Sequence, residues 1–433
     1  MRRIFLLVFT TFTIAAAYSQ SVELNFPHFA GQKWHFRAFR GEGKDTIATG
    51  TLDGQGRAKL VLPDRMNGFR GMTQWQLTGG GGLDMIFAGG ENFSVSCPEA
   101  QPSEETIVYT GTRENVYLNS RYRRQQDILG RIDAMRMAAE AYKDNNELLS
   151  IFNTELQNQE QAYTLLQEET AANPLYAARF AQVVDVTRGL PPVLASGQEE
   201  IAGLLKDFVL DRLDPEALYT SGHWAGVLEQ LMDWYSYKEE NRPAFISDMI
   251  RLVNRISSDE AYAALCEKVI VFCEKKGWHD QQIEFAFFLL NDDRIKEPEG
   301  KVASVYTLLK IRKGSKAPAL SQGKLPEGKT LLVFYESGCN ACENEMQQLK
   351  GNYPLLREKG YEVVSVAADK DEAVFKNTSG TFPWKARYCD FRGFGGTDFT
   401  TFGVIGTPTF YVIDGQGILQ GRYARLADTG ILN

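Results

Sequence analysis

Hydrophobic and polar positions divide this chain into three kinds of pattern. From residue 20 to residue 112, short runs that alternate or are wholly apolar are separated by glycine, aspartate and asparagine, which is typical of strands joined by tight turns. This pattern predicts an N-terminal antiparallel β-sandwich over residues 20–112. Its expected strands are Val22 to Phe26, Lys33 to Phe39, Asp45 to Thr51, Ala58 to Leu62, Thr73 to Leu77, Asp84 to Phe87 and Phe93 to Cys97.

Apolar side chains recur at helical spacing between residues 113 and 311, beginning with Ile128, Ile132, Met135 and Ala139. This periodicity predicts an all-α middle region. We find no catalytic cluster in it. Its later helices are expected over Trp224 to Lys238, Arg242 to Ile256, Asp259 to Lys276 and Asp280 to Leu290.

Two cysteines follow an apolar strand pattern near the C-terminus. The run from Leu331 to Tyr335 predicts a strand buried on both faces, and Cys339 and Cys342 come next, where a helical pattern with an acidic first turn begins. Free backbone N–H groups at a helix N-terminus stabilise a thiolate, and Cys342 is one turn away, within reach of a disulfide. The spacing predicts a redox pair in which one cysteine attacks a disulfide and the other resolves the intermediate.

The same CxxC spacing also occurs in zinc sites and in structural disulfides. Zinc needs more than two protein ligands, and the nearest histidine in sequence, His279, belongs to a different kind of segment. A disulfide that closes so short a loop removes little entropy from the unfolded chain. We therefore favour the redox pair and expect neither a metal nor an organic cofactor.

A second motif lies downstream of the redox pair. Val404 to Asp414 reads VIGTPTFYVID, so that Thr407-Pro408 opens a β-branched and aromatic strand. Together with the CxxC pair and a last predicted strand, Ile418 to Tyr423, the motif resembles the thioredoxin fold of TlpA-like periplasmic proteins. The resemblance implies a C-terminal α/β thioredoxin fold over residues 312–433. The preceding β-sandwich resembles an N-terminal domain of unknown function that often accompanies such modules.

The resemblance also implies roles for individual residues. Cys339 would be the exposed nucleophile, Cys342 the resolving thiol, and Pro408 the cis-proline beside them that shapes the substrate groove. Glu345 matches the place of an active-site acid in TlpA-like reductases. The residues expected to line the groove are Thr407, Gly338 and Trp384. The Trp384 ring would equally fit the hydrophobic underside of that groove.

The sequence departs from the family pattern before the first cysteine. Gly338 stands where a tryptophan is usual, and Val333 stands where many thioredoxins carry a buried aspartate. Proton handling is then assigned to Glu336, Glu343 or Glu345, each of which also fits the solvated face of a helix turn. A carboxylate near the nucleophile raises the thiolate pKa and so favours the disulfide form, which predicts a reductase rather than an oxidant.

Residues 1–19 have the pattern of a signal peptide. Arg2 and Arg3 precede an apolar stretch, and small residues mark a cleavage site near Ser19/Gln20. The apolar stretch is shorter than the roughly 20 residues that a membrane span needs. We expect a periplasmic protein with no membrane span in its mature chain.

Charge and cysteine content argue against two further classes of protein, those that bind nucleic acid and those held together by disulfides. The formal net charge of −8 argues against nucleic acid as a partner. Six cysteines are too few for a disulfide-stapled scaffold of this length, and we expect Cys97, Cys266 and Cys273 to be structural. Cys389 would be either an inert buried thiol or an additional redox partner.

These patterns predict an exported thiol-disulfide oxidoreductase. Its partners would be proteins that carry disulfides and a membrane or periplasmic electron donor, because a CxxC pair must be re-reduced after each turnover. A binding or assembly protein with an accessory redox domain stays open, since residues before 312 show no visible chemistry. A peroxiredoxin-type peroxidase is the other alternative, although it would require a threonine where Glu336 stands.

Overall fold

The computed structural model describes residues 20–88, 90–103, 105–292 and 294–432, so the predicted signal peptide, 1–19, lies outside the described residues. The chain forms two compact units that meet in sequence between Leu231 and Met232. The helical region is therefore shared between the two units. The predicted division into parts at residues 112 and 311 remains a prediction.

Two four-stranded sheets begin the first unit. Their strand orders are β4-β1-β7-β8 and β3-β2-β5-β6, and buried side chains from both sheets, among them Val22 and Trp75, form one hydrophobic core. Each of the seven predicted strands is present, displaced by at most two residues at either end. The strands are β1 (Ser21–Asn25), β2 (Lys33–Arg40), β3 (Gly43–Thr51), β4 (Arg57–Val61), β5 (Gly71–Leu77), β6 (Gly82–Phe87), β7 (Asn92–Ser96) and β8 (Val108–Thr110).

The prediction of a purely antiparallel arrangement is wrong at one strand pair. β1 pairs antiparallel with β4, but it pairs parallel with β7, with Val22 opposite Phe93. Alternation of apolar and polar residues reports which face of a strand is buried, and it carries no information about strand direction. The direction of two strands distant in sequence depends on the path of the intervening chain.

The helices that follow are α1 (Arg113–Ala141), α2 (Asn146–Ala172), α3 (Tyr176–Thr187), α4 (Gln198–Asp211), α5 (Pro215–Tyr219) and α6 (Trp224–Tyr237). A buried ion pair links α1 to α3, with Arg121 Nη1 3.1 Å from Asp185 Oδ1. The side-chain amides of Gln125 and Gln167 donate further hydrogen bonds to Asp185, at 2.8 and 2.9 Å. These donors offset the cost of burying the carboxylate.

Four helices precede the last sheet in the second unit: α7 (Phe245–Val253), α8 (Asp259–Lys276), α9 (His279–Asp292) and α10 (Gly300–Leu308). The predicted limits of α8 are confirmed at both ends. The Ser258 hydroxyl caps its start by accepting a hydrogen bond from the Ala261 N–H, and Gly277 ends it with φ +68°, a conformation that glycine adopts without strain.

The C-terminal sheet has the strand order β11-β10-β9-β12-β13. Its first three strands are parallel, whereas β12 runs antiparallel to β9 and β13 antiparallel to β12, which is the thioredoxin-like arrangement expected from the resemblance. The elements are β9 (Lys329–Tyr335), α11 (Asn340–Glu358), β10 (Tyr361–Ala367), α12 (Glu372–Ser379), β11 (Ala386–Tyr388), α13 (Thr397–Thr401), β12 (Thr409–Ile413) and β13 (Leu419–Tyr423).

The central strand β9 is buried from Thr330 to Tyr335, as its apolar run indicated. Leu331, Val333 and Tyr335 pack with α11 on one face of the sheet, and Leu332 and Phe334 pack with α13 on the other. None of the helices in the described ranges combines the length and apolar character that a membrane span needs.

Candidate active site

The redox pair, Cys339 and Cys342, lies where β9 gives way to α11. Gly338 makes the turn with φ +79°, and Cys339 is the N-cap residue, with its carbonyl oxygen accepting a hydrogen bond of 2.9 Å from the Glu343 N–H. The Cys339 side chain is partly exposed, whereas that of Cys342 is 1% exposed. One sulfur is therefore open to a partner and the other is enclosed.

Both cysteines are free thiols. Burial is the main cause that raises the pKa of Cys342, to about 12, and a side-chain hydrogen bond from Thr407 acts in the opposite direction. The neighbouring Cys339 sulfur adds to the increase. A protonated resolving thiol beside an accessible one is the asymmetry that stepwise disulfide exchange requires.

The cis-proline loop, residues 406–409, lies against this pair. The Thr407–Pro408 peptide bond is cis, and the Thr407 side chain lies close enough to the Cys342 thiol to lower its pKa. β12 begins immediately afterwards, with Thr409 opposite Phe334 of the central strand. The structure thus brings Cys339, Cys342, Thr407 and Pro408 together, although the two motifs are distant in sequence.

Glu345 is held away from open solvent. Its side chain is partly buried, and its Oε2 accepts a hydrogen bond of 2.8 Å from the Leu426 backbone N–H. The other two acids considered for proton handling, Glu336 and Glu343, are exposed. The carboxylate of Glu345, on α11, is therefore fixed by a contact with a distant part of the domain.

Trp384 does not lie in an open groove, so its expected place there is corrected in favour of the hydrophobic underside. Its side chain is 2% exposed and stacks on Phe382 with ring centroids 4.7 Å apart. The indole Nε1–H donates to Ser365 Oγ at 2.9 Å. A tryptophan ring removes a large apolar area from water when it packs inside the domain, and this favours the buried position.

The stretch from Phe382 to Thr401 contains a short strand and a short helix. β11 pairs parallel with β10, with Val364 opposite Ala386. Its three residues are Ala, Arg and Tyr, which have no apolar run or alternation long enough to indicate a strand. Only the pairing with β10 makes it one.

Sequence reasoning missed a buried acid that contacts the turn before Cys339. Asp369, 5% exposed, accepts hydrogen bonds from the Ser337 N–H at 2.9 Å and the Ser337 hydroxyl at 2.7 Å. The Cys389 thiol donates to the Asp369 carbonyl oxygen at 3.3 Å, and burial raises the pKa of this thiol. The available signal was position, because Asp369 follows β10 and the carboxyl ends of parallel strands meet at one edge of a sheet.

A zinc site is an alternative interpretation of the CxxC spacing. Within the described ranges, no group of three or more histidine, cysteine, aspartate and glutamate side chains is placed to hold a metal ion. His279 instead places Nδ1 2.7 Å from the Arg422 carbonyl oxygen.

The C-terminal part of this chain is similar to known proteins. Residues 316–422 match the AhpC/TSA family. The chain is 34% identical over 86 residues to the thiol-disulfide oxidoreductase ResA of Bacillus thuringiensis subsp. konkukian (strain 97-27), covering 20% of this chain and 49% of that protein. It therefore spans about half the length of this curated relative.

Two further similarities extend over more of the matched protein. The chain is 32% identical over 120 residues to tryparedoxin of Trypanosoma brucei brucei, covering 26% of this chain and 78% of that protein. A solved structure of a putative thiol:disulfide interchange protein DsbE from Chlorobium tepidum is 22% identical and covers 28% of this chain and 99% of its own, with a TM-score of 0.25. Through its C-terminal domain, the chain belongs to the thioredoxin-like proteins of the AhpC/TSA and thiol-disulfide oxidoreductase type.

Proposed function

We propose that this protein is an exported thiol-disulfide oxidoreductase that reduces disulfides of partner proteins through Cys339 and Cys342. The observation that carries the proposal is the pairing of an accessible sulfur with a buried one, with Thr407 and the cis Pro408 against them. The disulfide of a partner protein can reach an exposed nucleophile. The enclosed resolving thiol reacts only after the mixed disulfide has formed.

The reaction proceeds in two exchanges. The Cys339 thiolate attacks one sulfur of the partner's disulfide, and the second partner sulfur leaves as a thiolate that takes up a proton. Cys342 then loses its proton and attacks the Cys339 sulfur, which releases the first partner sulfur as a thiol. The partner gains two electrons and two protons, and the redox pair becomes a disulfide.

The second exchange requires that the Cys342 thiol lose its proton. Because burial raises the pKa of Cys342 to about 12, the thiol must transfer its proton as it attacks. Among the acids considered above, Glu345 is proposed as the acceptor, because it follows Cys342 by one turn of α11 and its contact with Leu426 fixes its carboxylate. Glu336 and Glu343 are exposed.

Reduction is the proposed direction of electron flow, because acidic residues at the start of α11 oppose the thiolate form that strong disulfide oxidants stabilise. The resulting disulfide of this protein must be reduced again by an electron donor. We assign that role to a second dithiol protein at the membrane or in the periplasm, in line with the predicted signal peptide.

The trapping variant Cys342→Ser tests the proposal. Without the resolving thiol, the first exchange stops at the mixed disulfide, so affinity capture of the variant should recover partners covalently bound to Cys339, and mass spectrometry should locate the bond. Cys389→Ser is the matched control, since it removes a buried thiol of the same domain and should trap nothing. The oxidised wild-type protein should contain a Cys339–Cys342 disulfide.

Two outcomes would contradict this function. Absence of covalent partners with Cys342→Ser, in a fraction where the Cys339 thiol remains reactive towards iodoacetamide, would indicate a binding protein. Peroxide consumption that persists in Cys342→Ser, with a sulfenic acid on Cys339, would indicate a peroxidase.

A further inference from the structure

A buried ion pair joins α8 to the C-terminal sheet. Arg422 of β13 and Glu274 of α8 have side chains that are 9% and 10% exposed. Arg422 Nη2 lies 2.6 and 2.7 Å from the two carboxylate oxygens of Glu274. Charges removed from water to this extent are stable only when each is paired and hydrogen-bonded, so the geometry of the pair is tightly constrained.

Glu274 also contacts the cis-proline loop on both sides of Thr407-Pro408. The Thr409 hydroxyl lies 3.3 Å from Glu274 Oε1 and 2.8 Å from the Gly406 carbonyl oxygen. A Cβ atom at Gly406 would come within 2.9 Å of Glu274 Cγ, so the loop backbone rests directly on this side chain. The position of α8 therefore limits where the loop can lie.

Helix α9 completes the arrangement from the other side. Gln282 Nε2 donates to Glu274 Oε2 at 3.0 Å, and Gln282 Oε1 accepts from Arg422 Nη1 at 2.7 Å. His279 Nδ1 lies 2.7 Å from the Arg422 carbonyl oxygen. Helices α8 and α9 lie outside the predicted redox domain, 312–433. They nevertheless contact β13, which neighbours β12, and the cis-proline loop, which precedes β12.

From these contacts we propose that Glu274 and Arg422 are positioning residues that hold the cis-proline loop against the redox pair, so that α8 and α9 are part of the redox module. The inference rests on the proposed function, because the loop matters catalytically only if Cys339 exchanges disulfides. The Thr407 side chain lowers the pKa of Cys342, so a displaced loop would change the environment of the resolving thiol and the wall of the groove. A loop released from Glu274 would hold a partner disulfide less well aligned for attack.

The variant Glu274→Gln in the full chain tests the proposal, with Glu267→Gln as the matched control. Both residues lie on α8, but Glu267 pairs with Lys301 at the surface, where the two side chains are 52% and 43% exposed. For Glu274→Gln, kcat/KM for reduction of insulin disulfides should fall between about tenfold and a hundredfold. Alkylation of Cys339 by iodoacetamide, which needs no groove, should keep its rate. Glu267→Gln should leave both rates unchanged.

Amide hydrogen exchange of residues 404–411 gives a readout that does not depend on redox activity. Exchange in this segment should be faster in Glu274→Gln than in the wild type and unchanged in Glu267→Gln. If the wild type reduces no disulfide, the proposed function fails, while the exchange difference still reports on positioning. Wild-type exchange and wild-type insulin reduction in Glu274→Gln would overturn the positioning role.

If Glu274→Gln does not fold, a second variant tests the positioning role of Glu274. The double replacement Glu274→Leu/Arg422→Leu removes both buried charges together and keeps apolar packing, an exchange that proteins often tolerate. It also removes the contact between Glu274 and Thr409. Faster exchange at 404–411 in this folded variant supports positioning, and wild-type exchange overturns it.

Discussion

The Thr407 side chain lowers the pKa of the Cys342 thiol, and this influence links the cis-proline loop to the buried half of the redox pair. Burial raises the pKa of Cys342 to about 12, and the Thr407 hydroxyl is the largest influence that lowers it. The resolving thiol therefore depends on a residue that lies far away in sequence. The relationship makes the rate of the second exchange sensitive to a single hydroxyl group.

Replacement of Thr407 by valine keeps the side-chain volume and removes the hydroxyl. The pKa of Cys342 should rise further, because the hydrogen bond that favours its thiolate is lost. A hydrogen bond of about 1 kcal/mol corresponds to roughly a fivefold slower release of the mixed disulfide. Stopped-flow measurement of partner release from the mixed disulfide checks this rate. An unchanged rate in Thr407→Val, with Thr381→Val at an exposed site as control, would show that the hydroxyl has no part in resolution.

Acid should destabilise the second unit through His279. Burial, followed by the charge of Arg422, lowers the pKa of His279 from 6.5 to about 4, whereas Glu274 and Asp280 oppose the change. The unfolded chain binds a proton below its own pKa, but the folded chain keeps the ring neutral. The stability is thus complete above pH 6.5 and is lost as the pH falls towards 4. The loss amounts to about 3 kcal/mol.

Urea unfolding of the full chain at several pH values tests this titration. In His279→Gln the free energy of unfolding of the second unit should depend less on pH between 6.5 and 4 than in the wild type. His28→Gln, at an exposed position in the first unit, is the control and should keep the wild-type slope. Equal slopes in the wild type and His279→Gln would exclude His279 as the source.

In the first unit, Asp185→Ala should be strongly destabilising. The change leaves the Arg121 guanidinium, 5% exposed, without its counter-ion, and it also removes the acceptor of Gln125 and Gln167. Breaking a buried pair in this way costs about 3–5 kcal/mol. Calorimetry of the full chain should show a lower unfolding temperature. Glu140→Gln, which removes an exposed pair with Lys143, should change stability by no more than about 0.5 kcal/mol.

Trp384→Phe should affect stability and leave substrate binding alone. The shorter ring loses the hydrogen bond to Ser365 Oγ and part of its contact with Phe382, at a cost of about 1–3 kcal/mol. Thermal unfolding measures the loss, and KM for insulin reduction should not change. A raised KM at unaltered stability would return Trp384 to the groove. Phe394→Leu, at a ring that is 39% exposed, serves as the control for aromatic removal in the same domain.

Local chemistry allowed much of the fold to be predicted. The apolar run of β9, the capped helix α8 and the strands of the first unit depend on neighbouring residues, and their patterns are visible in one dimension. The CxxC pair at a helix start is local as well. The proximity of Cys342 to Thr407 was expected from the resemblance to thioredoxins, and no spacing in the chain would have indicated it.

The remaining features depend on contacts between distant residues. The parallel pairing of β1 with β7 and the existence of β11 follow from the path of the chain, because three residues such as those of β11 have no strand pattern of their own. In the sequence, nothing distinguishes Asp369 from other polar residues. The structure shows that Ser337 donates two hydrogen bonds to it.

By itself, the sequence determined most of the strands and helices and which two cysteines lie at a helix start, because propensity, periodicity and capping act over a few residues. Only the tertiary structure decided that Trp384 is enclosed and that Glu274 supports the loop beside Cys342. Burial and charge pairing arise when distant segments pack together, and their energies depend on the water that packing excludes.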